Sequence, residues 1–323
     1  MISLLKELVS IPAVAWYEYQ LEEWLVNFAN IHSIPYIRES WYGVVMWNPY
    51  AQCACMAHID EVWWRITEIS GNILKFEWVG WVNPSMFVGR DIEIISSQGW
   101  IVCWLVVWDE PLRVAYDFFS DLTIVVDSSE ISQIQVGDSL RYRTRFTETQ
   151  ESIFATTLDN RVWVLVLLEI IKKNLWAEKD IFFDNTAFFF ATEEEIKNKW
   201  WLYFVEKYRP KFLVIPDMIP QSFLENSPSE LPVVLKKSSD YQLSLVYTSI
   251  LDDLNIEYLE SDFWLLNNSE PAKYERVNSM SCIGIALPTY NYHHGTYFIT
   301  KKLLWDFIFT VSIVLERIKI SQK

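Results

Sequence analysis

The chain has 323 residues and is 51% hydrophobic, which is enough for two modest domains or for one large domain with an insertion. Its formal net charge of −15 argues against a nucleic-acid backbone or an anionic membrane surface as partner, because both select clustered lysine and arginine. The sequence contains no apolar run of about 18 residues, so we expect no membrane-spanning helix. The four cysteines show no CxxC spacing, so we expect a cytoplasmic protein.

The composition is unusual in having little glycine and much tryptophan. The chain contains 8 glycines and 17 tryptophans, whereas a glycine content of roughly 7% would give about 23 glycines at this length. Several tryptophans stand where glycine would ease a tight turn, among them the pairs Trp63-Trp64 and Trp200-Trp201. We hypothesise that many tryptophans are glycines in the native protein, because UGA codons were translated as tryptophan. The alternative is a protein that is genuinely rich in tryptophan.

Hydrophobic periodicity predicts the secondary structure in chain order. Residues 2–10 and 19–31 have the spacing of amphipathic helices, and Lys6 and Glu7 interrupt the first of them, so we expect no signal peptide. Residues 36–46 and 52–58 alternate like strands. Beyond residue 155, helical patterns cover 161–174, 239–255 and 300–319, and apolar strand-like runs cover 181–191, 212–216 and 283–287. This alternation predicts an α/β fold with a mostly parallel sheet and helices on both faces.

The segment between the strand at 52–58 and the helix at 161–174 has a different pattern. Short strand-like runs are separated by turn residues there, and helical periods are scarce. This pattern predicts a small, barrel-like β domain at 65–154, inserted into a main domain that is formed by residues 1–64 and 155–323. Arg141, Arg143 and Arg145 alternate along one of the runs, which predicts a solvated face.

The stretch 53–65, CACMAHIDEVWWR, is an apolar run that ends in His58 and Asp60. Because side chains alternate along a strand, these two residues would point to the same side at the carboxyl end of the strand, where open α/β sheets place their sites. A histidine beside a carboxylate suits a metal ligand that is oriented by an acid. A solvated surface pair is the other interpretation.

Further acids and histidines stand at the ends of the other predicted elements. They are Asp159 before the helix at 161–174, Glu193, Glu194 and Glu195 after the strand at 181–191, Asp217 after the strand at 212–216, and His293 and His294 after the strand at 283–287. Each has a structural alternative, which is a helix N-cap for Asp159, a solvated helix start for the glutamates, a turn for Asp217 and a loop for the histidines.

The position of these residues at strand ends indicates a metal centre. The carboxyl ends of parallel strands meet at one edge of the sheet, so the side chains can converge there. Two imidazoles and three carboxylates are a suitable ligand set for two zinc-like cations about 3.5–4 Å apart. A further carboxylate that is not a ligand is then needed as general base for a water molecule.

The order of AHIDE, LDNR, EEE, Asp217 and His293 resembles that of the tetrahedral aminopeptidases. These are self-compartmentalising metallo-aminopeptidases, also called glutamyl or deblocking aminopeptidases and formerly endoglucanases. The likeness covers nearly the whole chain, including the inserted β domain. The motifs are specific as a set and weak singly.

The resemblance implies a role for each residue of the set. His58 and Asp217 would bind one metal ion, Glu195 and His293 the other, and Asp159 both. Glu194 would be the general base, and Asp60 would orient His58. The doublet leaves His293 and His294 as alternative ligands, and the spacing from Pro288-Thr289 favours His293.

By this resemblance, we expect a cytoplasmic aminopeptidase that trims short peptides. It would hold two divalent metal ions per subunit, zinc or cobalt, and use a metal-bound hydroxide as nucleophile with Glu194 as general base. Its partners would be peptide substrates, not nucleic acid or membrane. The inserted domain would mediate assembly into a homo-oligomer, a dodecamer. The alternatives are a related two-metal dipeptidase or deacylase, and a metal-free peptide-binding homologue.

Some positions depart from the family pattern. Lys197, Asn160 and Tyr297 stand where the family usually has glycine, aspartate and glutamate, which affects substrate preference and local geometry more than metal binding. Family glycines match Trp16, Trp63, Trp81, Trp163 and Trp200, which supports the UGA hypothesis. We therefore expect Trp63 or Trp64 to be crowded at the metal-binding edge or to lie in turn geometry.

Overall fold

The computed structural model describes residues 1–79, 90–96, 101–108, 122–175, 185–197, 199–220, 233–235, 248–249, 251–261, 281–290 and 295–320. Within these ranges, no helix is long and apolar enough to cross a membrane.

The helices and strands alternate along both ends of the chain, and strands alone occupy the middle. The helices are α1 (Ile2–Ser10), α2 (Tyr19–Ile31), α3 (Leu158–Leu175), α4 (Glu194–Lys197), α5 (Lys199–Tyr208) and α6 (Lys301–Ile320). The strands before α3 are β1 (Tyr36–Glu39), β2 (Gly43–Trp47), β3 (Cys53–His58), β4 (Trp63–Ser70), β5 (Ile73–Val79), β6 (Asp91–Ile95), β7 (Ile101–Trp108), β8 (Leu122–Val125), β9 (Ser139–Tyr142), β10 (Phe146–Glu148) and β11 (Ser152–Ala155). Those after it are β12 (Thr186–Ala191), β13 (Phe212–Pro220), β14 (Val233–Leu235), β15 (Leu259–Ser261), β16 (Ser281–Thr289) and β17 (Tyr297–Thr300).

The main sheet has eight strands in the order β1-β2-β12-β3-β13-β16-β14-β15. Its central strands β12, β3, β13 and β16 are parallel, and antiparallel pairings join β1 and β2 on one side and β14 on the other. The predicted α/β class is confirmed, and the sheet is parallel at its centre. The carboxyl ends of the central strands therefore lie at one edge.

Helices cover both faces of this sheet, which explains why its central strands read as continuous apolar runs. In β3, Cys55 and Ala57 pack into the core formed with α1, α2, α3 and α6, whereas Ala54 and Met56 pack into the core formed with α5. In a strand that is buried on both faces, alternating positions must all be apolar.

The strands between β3 and β10 form a separate structure. They close into a six-stranded barrel in the order β4-β5-β8-β7-β6-β9. Its core contains Trp64, Ile66, Leu74, Ile92 and Leu140. The domain boundaries at 64/65 and 154/155 stay a prediction. A three-stranded sheet, β10-β11-β17, then joins the segment after the barrel to the segment before α6.

Two predicted elements differ from the structure near the site. Residues 36–46 form a hairpin of β1 and β2 and not one strand, because the chain turns at Ser40-Trp41-Tyr42. Asp217 lies within β13, which extends to Pro220, and not after a strand that ends at Pro216. The predicted helix at 239–255 lies mostly outside the described residues.

Two predictions about individual side chains are wrong. Arg141 is buried at 2% exposure, so only Arg143 and Arg145 form a solvated face. Burial is possible because carboxylates from distant segments contact the guanidinium of Arg141. The turn geometry expected at Trp63 or Trp64 is also wrong, because both residues are in β4 and pair regularly with β5; the alternative expectation, crowding at the metal-binding edge, stays a prediction.

Candidate metal centre

Two neighbouring parallel strands bring the first predicted ligands together. His58 is the last residue of β3 and pairs in register with Ala191, the last residue of β12. The acids that follow β12 therefore begin beside the imidazole. Glu193 adopts a left-handed backbone conformation with φ 53°, and α4 starts at the next residue, Glu194. This sharp change of direction turns the acids back toward the end of β3.

Asp60 fixes the position of the two glutamates. Its carboxylate is fully buried, and it accepts hydrogen bonds from the backbone N–H of Glu194 (3.0 Å, Oδ1) and of Glu195 (2.9 Å, Oδ2). The same Oδ1 lies 3.6 Å from Nδ1 of His58. Asp60 was predicted to orient the histidine, and its position also allows it to hold the acid pair.

The imidazole and the two glutamates form a cluster with the chemistry of a cation site. Nitrogen and oxygen atoms of His58, Glu194 and Glu195 lie within 4.8 Å of one another. Nδ1 of His58 is buried and has no hydrogen-bond partner among the described residues, and Oε2 of Glu194 is 3.8 Å away. A buried imidazole nitrogen beside carboxylates is a donor set that fits a divalent cation such as zinc.

The electrostatics of the cluster favour positive charge. Burial acts to lower the pKa of His58, but the negative charges of Glu194, Asp60 and Asp159 outweigh it and raise this pKa well above its usual value. The field that holds a proton on the imidazole would also attract a cation, which would then replace that proton.

Asp159 approaches the cluster from α3. It lies in the first turn of this helix, not before it, and its side chain is 5% exposed. Asp159 and Glu195 line the same small cavity, which Tyr297 also lines. Thr157, two residues before Asp159, has φ 54°, which is uncommon for a β-branched residue. Backbone strain of this kind is often found at functional sites.

The rest of the predicted set is not described at the level of side chains. The backbone of Asp217 lies in β13, the parallel neighbour of β3, but its side chain is outside the described part of the chain. His293 and His294 also lie outside the described residues. Gly295, which follows them directly, lines the cavity shared by Asp159 and Glu195.

Sequence analysis missed Glu18 as a member of this region. Its side chain accepts a hydrogen bond from the backbone N–H of Glu193 at 3.2 Å. Burial, and then the negative charge of Asp60, raise the pKa of Glu18 to about 9. A single glutamate before an amphipathic helix looks like an ordinary helix start, so the sequence carried no signal for this contact.

Comparison with known proteins agrees with this geometry. The family model of the M42 glutamyl aminopeptidases matches residues 48–237, which is more than half of the chain. The chain belongs to the M42 glutamyl aminopeptidase family. It is therefore a peptidase of a metal-dependent family of hydrolases, as the resemblance implied. No curated protein matches it by sequence.

Solved structures with the same fold cover nearly the whole chain. An aminopeptidase from the archaeon Desulfurococcus kamchatkensis is 17% identical with a TM-score of 0.84, over 98% of this M42 chain and 94% of that chain. A TET aminopeptidase from the marine sediment archaeon Thaumarchaeota archaeon SCGC AB-539-E09 is 15% identical with a TM-score of 0.83, over 98% and 96%. The TET1 peptidase of Pyrococcus horikoshii, which can assemble into a tetrahedron or a large octahedral shell, is 19% identical with a TM-score of 0.81, over 97% and 98%.

Proposed function

We propose that the chain is a two-metal aminopeptidase that removes amino-terminal residues from short peptides. The observation that carries this proposal is the cluster of His58, Glu194 and Glu195 at the carboxyl edge of the parallel strands in a chain of the M42 family. Open α/β sheets place their sites at this edge. The proposed metal ions are zinc or cobalt, since both suit imidazole and carboxylate ligands.

The proposal assigns each residue of the cluster a separate task. The metal ligands are His58 and Asp217 for one ion, Glu195 and His293 for the other, and Asp159 for both. The cations, when bound, would polarise the scissile carbonyl and lower the pKa of a water molecule. Glu194 accepts the proton of that water as general base, and Asp60 orients His58.

The contacts of Glu194 support its separate task. Asp60 accepts hydrogen bonds from the backbone N–H of Glu194 and of Glu195, so both residues of α4 are tied to the same carboxylate. The side chain of Glu194 is 21% exposed, whereas Asp60 is fully buried. A general base must reach a water molecule that exchanges with solvent, and Glu194 is the more accessible of the two.

A homo-oligomer, and specifically a dodecamer, is part of the proposal. Its support is the solved relative PhTET1-12s, which forms a dodecamer. The barrel of β4 to β9 is the proposed assembly domain. A cytoplasmic location is supported by Cys53 and Cys55, which are buried and not joined in a disulfide. Light scattering on the purified protein tests the assembly, and a monomeric mass would contradict it.

The substrate class is tested with matched fluorogenic reporters. We expect release of the reporter from an aminoacyl compound with a free α-amino group. Acetylation of that amino group should remove most of this activity. Equal rates on both compounds would contradict an aminopeptidase, because a free α-amino group would then not be required. Activity that requires a free carboxyl terminus on dipeptides would indicate a dipeptidase.

A further inference from the structure

Among the residues that the structure describes, three tryptophans have a backbone conformation that a bulky residue rarely adopts. Trp16 has φ 73°, Trp41 has φ 73° and Trp47 has φ 75°, which places all three in the left-handed region. In this region the Cβ atom of an L-residue crowds the following carbonyl oxygen, and glycine is the residue that escapes the clash. For a side chain as large as tryptophan such an angle is an outlier.

The indole of Trp41 buries little surface that could offset this strain, although its backbone carbonyl accepts a hydrogen bond from Oγ1 of Thr192 at 2.8 Å. Trp41 lies in the turn between β1 and β2 and is 75% exposed, so its indole is mostly in water. Two residues later, Gly43 has φ 123°, and a Cβ atom there would lie 1.9 Å from the carbonyl oxygen of Phe190. The same hairpin therefore has a positive φ at two positions, 41 and 43, and the sequence has glycine at only one of them.

The other two positions are also turns or strand ends. Trp16 lies between α1 and α2 and is 44% exposed. Trp47 ends β2, where its backbone N–H donates a hydrogen bond to the carbonyl of Pro35 at 2.7 Å. A hydrogen bond from the backbone keeps this conformation whatever the side chain is. The ring of Trp16 contacts that of Trp63 with centroids 5.1 Å apart and Trp47 packs against the core, so the inference at these two sites rests on the backbone angle.

We infer that positions 16, 41 and 47 carry glycine in the protein as its own cell makes it. The tryptophans in the sequence then come from translating UGA codons as tryptophan, whereas the native cell reads these codons as glycine. This inference concerns residue identity and is independent of the catalytic proposal. It does not extend to Trp63 and Trp64, which have regular strand geometry.

Trp24 provides an internal control. It lies in the helix α2, its indole N–H donates a hydrogen bond to Oε1 of Glu7 at 2.7 Å, and its ring stacks on Phe28 with centroids 5.6 Å apart. Glycine could make neither contact and would weaken the helix. The structure therefore assigns a genuine tryptophan to position 24.

Codon identity and peptide masses test the inference directly. We expect UGA codons at positions 16, 41 and 47, a UGG codon at position 24, and peptides from the natively produced protein whose masses contain glycine at the first three positions and tryptophan at the fourth. UGG codons at 16, 41 and 47, or tryptophan in the native peptides at these positions, would overturn it.

A stability measurement on the protein that carries tryptophan at these positions gives a second readout. Trp41→Gly relieves strain without removing buried surface, so it should raise the midpoint of thermal unfolding. The matched change Trp24→Gly should lower the midpoint, because it removes a hydrogen bond and a ring contact from a helix. A lower midpoint in Trp41→Gly would contradict the inference.

A buried ion-pair network carries a second, independent inference. Glu61 directly follows Asp60 and is 2% exposed. Its Oε1 accepts hydrogen bonds from Nη1 of Arg141 at 3.1 Å and from the backbone N–H of Ala13 at 2.8 Å, and it lies 3.8 Å from Nη2 of Arg161. Two cations from separate parts of the chain thus meet at one carboxylate beside the metal centre.

Arg161 holds the backbone of the metal-binding segment. Its fully buried guanidinium donates hydrogen bonds to the carbonyl oxygens of Ile59 (2.6 Å), Leu8 (3.0 Å) and Ile11 (3.0 Å). The carbonyl of Ile59 lies between His58 and Asp60 in the chain. Three carbonyls from two segments match the fixed fork of an arginine, and a lysine could not satisfy them together.

Arg141 connects the barrel to the same segment. It lies in β9, and its Nε donates a hydrogen bond to Glu93 of β6 at 2.8 Å while its Nη1 bonds Glu61. Buried charges of this kind are costly to separate, so the geometry of the barrel and that of Glu61 are coupled. We propose that Arg141 and Arg161 are positioning residues that set the geometry of His58 and Asp60.

Metal affinity tests this second inference, which rests on the proposed metal centre. We expect Arg161→Lys and Arg141→Lys to bind Co²⁺ about 10–100-fold more weakly than the parent protein, which is the usual effect of substituting a residue that holds a metal ligand in place. Arg143→Lys is the matched control, because Arg143 is exposed just beyond β9, and it should bind as the parent does.

The outcomes separate this inference from the proposed function. If the parent protein does not bind Co²⁺, this result would contradict the metal centre itself. Binding by the parent and equal binding by both arginine variants would overturn only the positioning role. A network that merely supports the fold would lower the unfolding temperature and leave the affinity for Co²⁺ unchanged, which also counts against positioning.

Discussion

Replacing Glu194 with glutamine is expected to lower kcat by about 10²–10⁴-fold, the range that a general base contributes. Glutamine has the same size, and the backbone N–H of residue 194 can keep its hydrogen bond to Asp60. The substituted side chain can no longer accept a proton. We expect metal content and the unfolding temperature to stay close to those of the parent protein. Steady-state kinetics on the aminoacyl reporter measure the effect.

Glu193→Gln is the matched control for this change. Glu193 is the adjacent acid, but its backbone N–H bonds to Glu18 and it is not part of the cluster with His58. Its substitution should therefore cost much less than that of Glu194. Unchanged turnover in Glu194→Gln, or a larger loss in Glu193→Gln, would show that the general base is assigned to the wrong residue.

Removal of divalent metal ions is expected to abolish peptide hydrolysis. The residues brought together at the sheet edge are an imidazole and carboxylates, which can bind a cation and move a proton. Dialysis against EDTA should therefore stop release of the reporter, and Zn²⁺ or Co²⁺ should restore it.

Magnesium serves as the control in this experiment. Mg²⁺ prefers octahedral oxygen ligands and keeps several waters, so it is a poor match for a site with histidine ligands. It should restore little activity at the concentration at which Zn²⁺ or Co²⁺ does. Full activity in the presence of EDTA would contradict a metal-dependent mechanism in this chain.

The placement of the site could be predicted from the sequence because it depends on strand periodicity. The run ending at His58 and the run ending at Ala191 are both continuously apolar, which identifies two buried strands and the polar residues beyond them. Parallel pairing then brings these ends together, as the register of Ala191 with His58 confirms. The hydrophobic periodicity and the order of the strands along the chain were sufficient for this prediction.

The contacts of Asp60 could not be predicted in the same way. Its hydrogen bonds reach residues 134 and 135 positions later in the chain. They require β12 to lie beside β3 and the chain to turn at Glu193, whose left-handed angle has no signal in a run of three glutamates. The burial of Arg141 was not predicted for a similar reason, because its partner Glu61 is 80 positions away in the chain.

The hairpin of β1 and β2 was missed because its turn does not look like a turn. Residues 40–42 read Ser-Trp-Tyr, and two aromatic residues after a serine favour a continuing strand. A glycine at position 41 would have indicated a turn between two strands. The same substitution that we infer from the backbone angle of Trp41 therefore also explains the error in the predicted strand at 36–46.

Metal content measured by elemental analysis tests the central proposal most directly. We predict two divalent metal ions per chain in the purified, active protein, and loss of one of them in His58→Ala with the fold retained. An active protein that contains no divalent metal, or a His58→Ala variant with undiminished metal content, would contradict the proposed centre.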